Sequence, residues 1–120
     1  MSYKADLNLM RKEWYNAFYD GNTGQLDYLE TEWFISTNGQ KVLYKEHQLR
    51  KVDMRHPEHR KLAITRTEYE VEIRKFKDIA CVTGKAALDD GNDITQIAFV
   101  ENWIMLNSGW KLQFVTFESL

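Results

Sequence analysis

From about Leu62 to the C-terminus the chain alternates apolar and polar residues with a period of two, which only β-strands satisfy over such a length. "TEYEVEIRKF" (67–76) sets Tyr69, Val71 and Ile73 against Glu68, Glu70, Glu72 and Arg74. Lys77-Asp78, "DDGND" (89–93) and "NSG" (107–109) are turn signals that divide the rest into "IACVTGKAAL", "ITQIAFVENWIML" and "WKLQFVTFES". The second half therefore reads as an antiparallel meander of four long strands. Such a sheet has an apolar face that something else in the chain must cover.

The turns fix an expected register. Lys77-Asp78 places Ile73 opposite Val82, Val71 opposite Gly84 and Tyr69 opposite Ala86, with Glu70 facing Lys85 on the other side. A turn at 89–92 places Phe99 opposite Val82 and Glu101 opposite Ala80. A turn at Ser108-Gly109 places Phe114 opposite Trp103 and Thr116 opposite Glu101. The inner face then holds Val82, Phe99, Trp103, Leu112 and Phe114, together with Tyr69, Val71 and Ile73. The outer face collects Ala98, Val100, Ile104, Val115 and Phe117, an apolar surface expected to pair two copies as a homodimer.

The first 20 residues supply the cover: Leu7, Met10, Trp14, Ala17 and Phe18 recur at helical spacing. "DGNTG" (20–24) stops that helix, and Thr23 is placed to cap a short second one through "GQLDYLE". Asn38-Gly39 marks a hairpin within "EWFISTNGQKVLY", and "KEHQLRKV" reads as a third short helix. At 120 residues this is one domain, 1–120.

A net charge of −2 with both signs interspersed argues against a nucleic-acid partner. No apolar run approaches the length of a membrane span, and the charged start lacks a signal-peptide pattern. With a lone Cys81, expected as a packed thiol on the outer face, the chain reads as cytoplasmic. His56-x-x-His59 lies in the Pro57-containing polar stretch "DMRHPEHRK", without a helical scaffold or a completing carboxylate. No metal and no cofactor are therefore expected.

Glu101 is the anomaly. It sits between Phe99 and Trp103 on the face meant for hydrophobes. One expectation is a pocket walled by Phe99, Trp103, Trp14, Tyr15, Phe18, Tyr19 and Thr116, in which a protonated Glu101 is the best catalytic candidate or bonds a ligand carbonyl. The other is a glutamate satisfied by Thr116 opposite, or by Tyr and Trp side chains. A buried carboxylate left alone would cost several kcal/mol.

The order of these elements resembles the nuclear transport factor 2-like superfamily over nearly the whole chain. The resemblance rests on Asp20-Gly21 after the first helix, on Gly39, Lys45, Glu46 and Leu49 leading into the third, on Asp78, Ala80, Val82, Thr83 and Gly84, and on Trp103, Gly109, Trp110 and Leu112. It implies an α+β cone, a curled antiparallel sheet covered by N-terminal helices (a cystatin-like α+β roll), with a pocket open at one end and commonly a dimer. Ketosteroid isomerases and SnoaL-like polyketide cyclases share that fold. By resemblance to the isomerases, Glu101 takes the place of a carboxyl group in the penultimate strand and Tyr15 or Tyr19 that of a helix tyrosine. Their aspartate base should fall near "FISTN", where Ser36, Thr37 and Asn38 offer no carboxylate. The expected function is thus binding of a small apolar ligand without demonstrated catalysis. The alternatives are a protein-interaction module, accessory or immunity protein, with a filled pocket, or a SnoaL-like isomerase or cyclase.

Overall fold

The computed structural model describes residues 6–55 and 62–120, so the His56-x-x-His59 stretch lies outside the described residues. Among the described residues three helices, α1 (Leu7–Asp20), α2 (Thr23–Leu29) and α3 (Lys45–Asp53), accompany six strands. These are β1 (Glu30–Thr37), β2 (Val42–Tyr44), β3 (Thr65–Lys75), β4 (Ile79–Asp89), β5 (Ile94–Leu106) and β6 (Gly109–Ser119). They form one open sheet in the order β2-β1-β6-β5-β4-β3. The sheet is mixed, because β1 runs parallel to β6 while every other neighbouring pair is antiparallel. The α+β class and the C-terminal meander are as the alternation indicates.

Local chemistry sets the helix ends. Gly21, at φ 75°, ends α1 in the left-handed conformation, and the next N–H, of Asn22, bonds Ala17 O at 2.8 Å. Asn22, not Thr23, caps α2, its Oδ1 accepting from Gln25 N at 3.1 Å. Leu7, Trp14 and Ala17 of α1 and Leu26 and Leu29 of α2 pack on the sheet over Phe34, Val82, Phe99, Trp103 and Leu112.

Bulges and one loop displaced by a residue correct the expected register. Ile73 does pair with Val82, but a bulge between Tyr69 and Glu72 leaves Tyr69 opposite Lys85 instead of Ala86. Glu70 absorbs the extra residue at φ 54°. Gly84 makes the close approach feasible: a Cβ there would stand 3.1 Å from Val71 Cα and 3.0 Å from Phe99 Cζ. The Glu70–Lys85 ion pair nonetheless forms at 3.1 Å. Tyr69, Val71 and Ile73 are not under cover, being 37–40% exposed. The helices meet only the beginning of this edge strand, where Arg11 and Tyr19 reach Glu68 and Arg66.

The β4–β5 loop takes four residues, with Asp90 Oδ1 accepting from Asn92 N and Asp93 N, both at 2.8 Å. Phe99 therefore faces Gly84, and Glu101 faces Val82, a shift of two that keeps every side chain on its expected face. The β5–β6 pair does not. A bulge lets Trp103 pair with Leu112 but Glu101 with Val115 and Val100 with Thr116. Val115 is consequently buried on the helix side, and Phe117 pairs with Phe99 on that side too. Of the expected outer apolar surface, Ala98, Val100 and Ile104 remain; Val115 and Phe117 do not belong to it, and Thr116 does not meet Glu101.

Candidate functional site

Glu101 is fully buried beneath α1, which presents Arg11 and Tyr15 one turn apart. Arg11 Nε donates to Oε1 at 2.6 Å and Nη2 to Oε2 at 2.8 Å, a two-pronged guanidinium clamp. Tyr15 Oη donates to Oε2 at 2.5 Å, and Trp103 Nε1 donates to Oε1 at 2.8 Å. These four bonds match what a carboxylate can accept. Little is left for a ligand to bind.

The network continues outward. Arg11 grips Glu68 through Nη1 at 3.1 Å and Nη2 at 2.9 Å, and Arg66 Nε donates to Glu68 at 3.0 Å. Arg66 Nη1 then donates to Tyr19 Oη at 3.1 Å, while its guanidinium lies 3.8 Å from the Tyr15 ring centre and 4.8 Å from that of Phe99. The chain of charges runs Glu101, Arg11, Glu68, Arg66 and sums to zero. Burial works to lower the pKa of Arg11, but its bonds to Glu101 and Glu68 outweigh this and raise it. Burial pushes the Glu68 carboxyl up, but Arg11 and Arg66 hold it below its ordinary value. Tyr15 is pushed well above its ordinary value, first by burial and then by the Glu101 charge.

Trp14, Tyr15, Phe18, Tyr19, Phe99, Glu101 and Trp103 therefore do come together, but packed against one another. Trp14 stacks on Phe18 with ring centres 5.4 Å apart and meets Tyr15 edge-on at 5.0 Å. Arg11 was missed from sequence. Its signal was a cation on the buried side of α1, in line with Leu7 and Trp14, in a chain whose inner sheet face carries an unexplained carboxylate.

A second buried carboxyl, Glu30 at the head of β1, also escaped notice. Its Oε2 accepts from Trp14 Nε1 and from Gln48 Nε2, both at 2.9 Å. Glu30 Oε1 and Gln48 Oε1 are both buried and receive no hydrogen bond from the described residues. Burial raises Glu30 to about 7, against the lowering effect of its two donors. Lys45 is tied up close by, donating to the carbonyls of Asp27 at 2.9 Å and Glu30 at 3.2 Å and pairing with Asp27 Oδ1 at 2.8 Å.

Open space lies elsewhere. A cavity of about 390 Å³ sits between α3, the β1–β2 hairpin and the end of β6. Phe18, Leu43, Val52 and Phe117 give it an apolar lining. Ser36, Thr37, Asn38, Lys41, Lys51 and Arg55 supply polar groups, so the segment where a base was sought lines a cavity without being one. A second cleft of about 410 Å³ borders the exposed side of the Arg11–Glu68–Arg66 network, with Lys12, Asn16 and Tyr19. Glu101 lines neither. Among the described residues no three His, Cys, Asp or Glu are grouped to hold a metal ion, and no helix is long and apolar enough to cross a membrane.

No protein-family model matches the sequence, and no curated protein matches it. Solved structures do. An NTF2-like protein from Cytophaga hutchinsonii superposes with a TM-score of 0.79 at 12% identity, covering 100% of both chains. The S. rosetta CaMKII hub gives 0.79 at 17% identity, over 95% of this chain and 94% of its own. A protein of unknown function with a cystatin-like fold from Nostoc punctiforme gives 0.76 at 10%, over 96% and 89%. Matches spanning the whole sheet and its helices at such low identity establish architecture, and by that measure the chain has the nuclear transport factor 2-like fold.

Proposed function

We propose that this chain is a binding protein without catalysis. It holds a small, partly apolar ligand in the cavity between α3 and the β1–β2 hairpin, not at Glu101. One contrast carries the reading: Glu101 is saturated by four donors, whereas the cavity of about 390 Å³ has an apolar floor and a polar lip. That volume lies in the roughly 300–1,000 Å³ range of small-molecule sites. The neutral fluorescent probe N-phenyl-1-naphthylamine should brighten on binding. The signal should vanish in Leu43→Trp, which fills the floor from a half-buried position, and persist in Tyr15→Phe. Loss in Tyr15→Phe with retention in Leu43→Trp would return the site to Glu101.

A second reading, a protein-interaction module, draws on the interior around Glu101 being filled by its own aromatics. It predicts no probe uptake by the wild type at all. On either reading we place the chain in the cytoplasm, where Cys81 stays reduced. We also place a second copy on the outer sheet face at Ala98, Val100 and Ile104. Beside them runs a hydrogen-bonded row, with Trp33 Nε1 donating to Gln113 at 2.8 Å and Gln113 Nε2 to Asn102 at 2.5 Å. Val100→Asp should convert a dimer to a monomer in sedimentation velocity; a monomeric wild type at tens of micromolar would remove this pairing.

A further inference from the structure

We infer that the cavity between α3 and the β1–β2 hairpin takes an anionic amphiphile: a short aliphatic or aromatic body on the Phe18–Leu43–Val52–Phe117 floor, with a carboxylate or phosphate head at Lys41 and Lys51. The inference rests on the ligand-site reading just given and names the class of ligand.

The charge around this cavity is unlike that of the rest of the chain. Among the described residues its lining carries Lys41, Lys51 and Arg55 and no carboxylate, in a protein with 18 acidic and 16 basic residues overall. Six cations elsewhere sit against acids, Arg11 and Arg66 on Glu68, Lys45 on Asp27, Arg50 on Glu46, Arg74 on Glu72 and Lys85 on Glu70, whereas Lys12, Lys75, Lys77 and Lys111 form no ion pair among the described residues. Lys41 and Lys51 form no ion pair among the described residues. Arg55 is held in place at the same lip, Nη1 donating to Phe18 O at 2.8 Å with the guanidinium 4.9 Å from the Phe18 ring centre.

The hairpin turn strengthens the bias. Thr37 Oγ1 accepts from Gly39 N at 3.1 Å, and Asn38 Oδ1 accepts from Gln40 N and Lys41 N, both at 3.0 Å. Asn38 Oδ1 is thus fully used in folding the turn, while Thr37 Oγ1 keeps one lone pair. Both retain donors for a ligand, the Thr37 hydroxyl proton and the Asn38 amide protons. A lip of ammonium groups and spare donors above an apolar floor is complementary to an anion with a tail, and Oε1 of Gln48, which also lines the cavity, is left to accept from a hydroxyl on that tail. Charge-assisted bonds run roughly twice as strong as neutral ones, but the two lysines are exposed and salt will screen them.

The test displaces N-phenyl-1-naphthylamine with octanol, octanoate and octyl phosphate. Octanoate and octyl phosphate should compete about tenfold better than octanol, with the advantage shrinking as salt rises. Lys41→Gln/Lys51→Gln, at two exposed positions, should erase the advantage, bringing octanoate and octyl phosphate down to the level of octanol. Phosphatidylglycerol vesicles separate the two sources of such a head. Binding of the free amphiphiles without retention on vesicles assigns a free metabolite. Retention that the double substitution abolishes assigns a lipid head group, and either result supports the anion. Equal competition by octanol, or an advantage that survives the double substitution, overturns the anion while the cavity stands. Failure of the wild type to bind the fluorescent probe overturns the ligand site itself, and this inference with it.

Discussion

Arg11→Met should lower the stability of the native state by about 3–5 kcal/mol, the cost of leaving a buried charge without its partner. Methionine can fill the space of the side-chain stem, so the loss reports electrostatics more than packing. Glu101 would keep only Tyr15 and Trp103, and Glu68 would keep only Arg66. Glu101→Gln falls under the same argument. From sequence, that substitution looks like one that spares stability while probing chemistry. In the fold, the glutamine amide turns N–H groups toward a clamp made entirely of donors, and a loss of about 2–4 kcal/mol is expected. Arg11→Met combined with Glu101→Leu should recover a large part, because an apolar pair asks for no desolvation. Urea unfolding of the three variants checks this. An Arg11→Met variant within about 1 kcal/mol of wild type, as for an exposed pair, would show the clamp to be worth little.

Glu30 carries the second large effect, with an unusual sign. Its folded value of about 7 lies above the unfolded 4.5, so the native state binds its proton more tightly than the unfolded chain. The stability this confers is complete below about 4.5 and is lost as pH rises toward about 7. At about 1.4 kcal/mol per pH unit this gap corresponds to roughly 3 kcal/mol. The groups around the carboxyl are Trp14 from α1, Asp27 from α2, and Lys45 and Gln48 from α3. Glu68 acts oppositely, its stabilisation being lost only as pH falls below the ordinary carboxylate range. Urea midpoints should therefore fall from pH 5 to pH 8 in the wild type. Glu30→Gln should flatten that slope and raise stability at pH 8 by about 1–3 kcal/mol, since its amide offers an N–H to the otherwise unpaired Gln48 Oε1. A wild-type midpoint that climbs over this range would refute the assignment.

The elements were legible because each obeys a short-range rule. Period two exposes β3 to β6, Gly21 ends α1 in the left-handed conformation, and Asn38-Gly39 makes the hairpin. Bulges obey no such rule. The extra residue at Gln113 moves Val115 and Phe117 to the inner face, and nothing in "WKLQFVTFES" announces it. Gly84 is a partial exception, since a glycine within a strand hints at a close backbone approach. The site was half legible. Glu101 stood out against its apolar face, and the aromatics around it were identified. Its main partner, Arg11, lies 90 positions away on a helix that reads as amphipathic without it. The cavity was sought beside Glu101, but Trp14, Tyr15, Phe18 and Trp103 fill that interior, leaving the open volume beyond Phe18 against α3.

Backbone amide shifts during a titration with octanoate test the central claim most directly. The account predicts changes concentrated at Ser36, Thr37, Leu43, Lys51, Val52 and Phe117, with the Trp103 indole N–H signal unmoved because Glu101 holds it. Shifts centred on Tyr15, Glu101 and Trp103, with the residues of the α3 cavity silent, would contradict it.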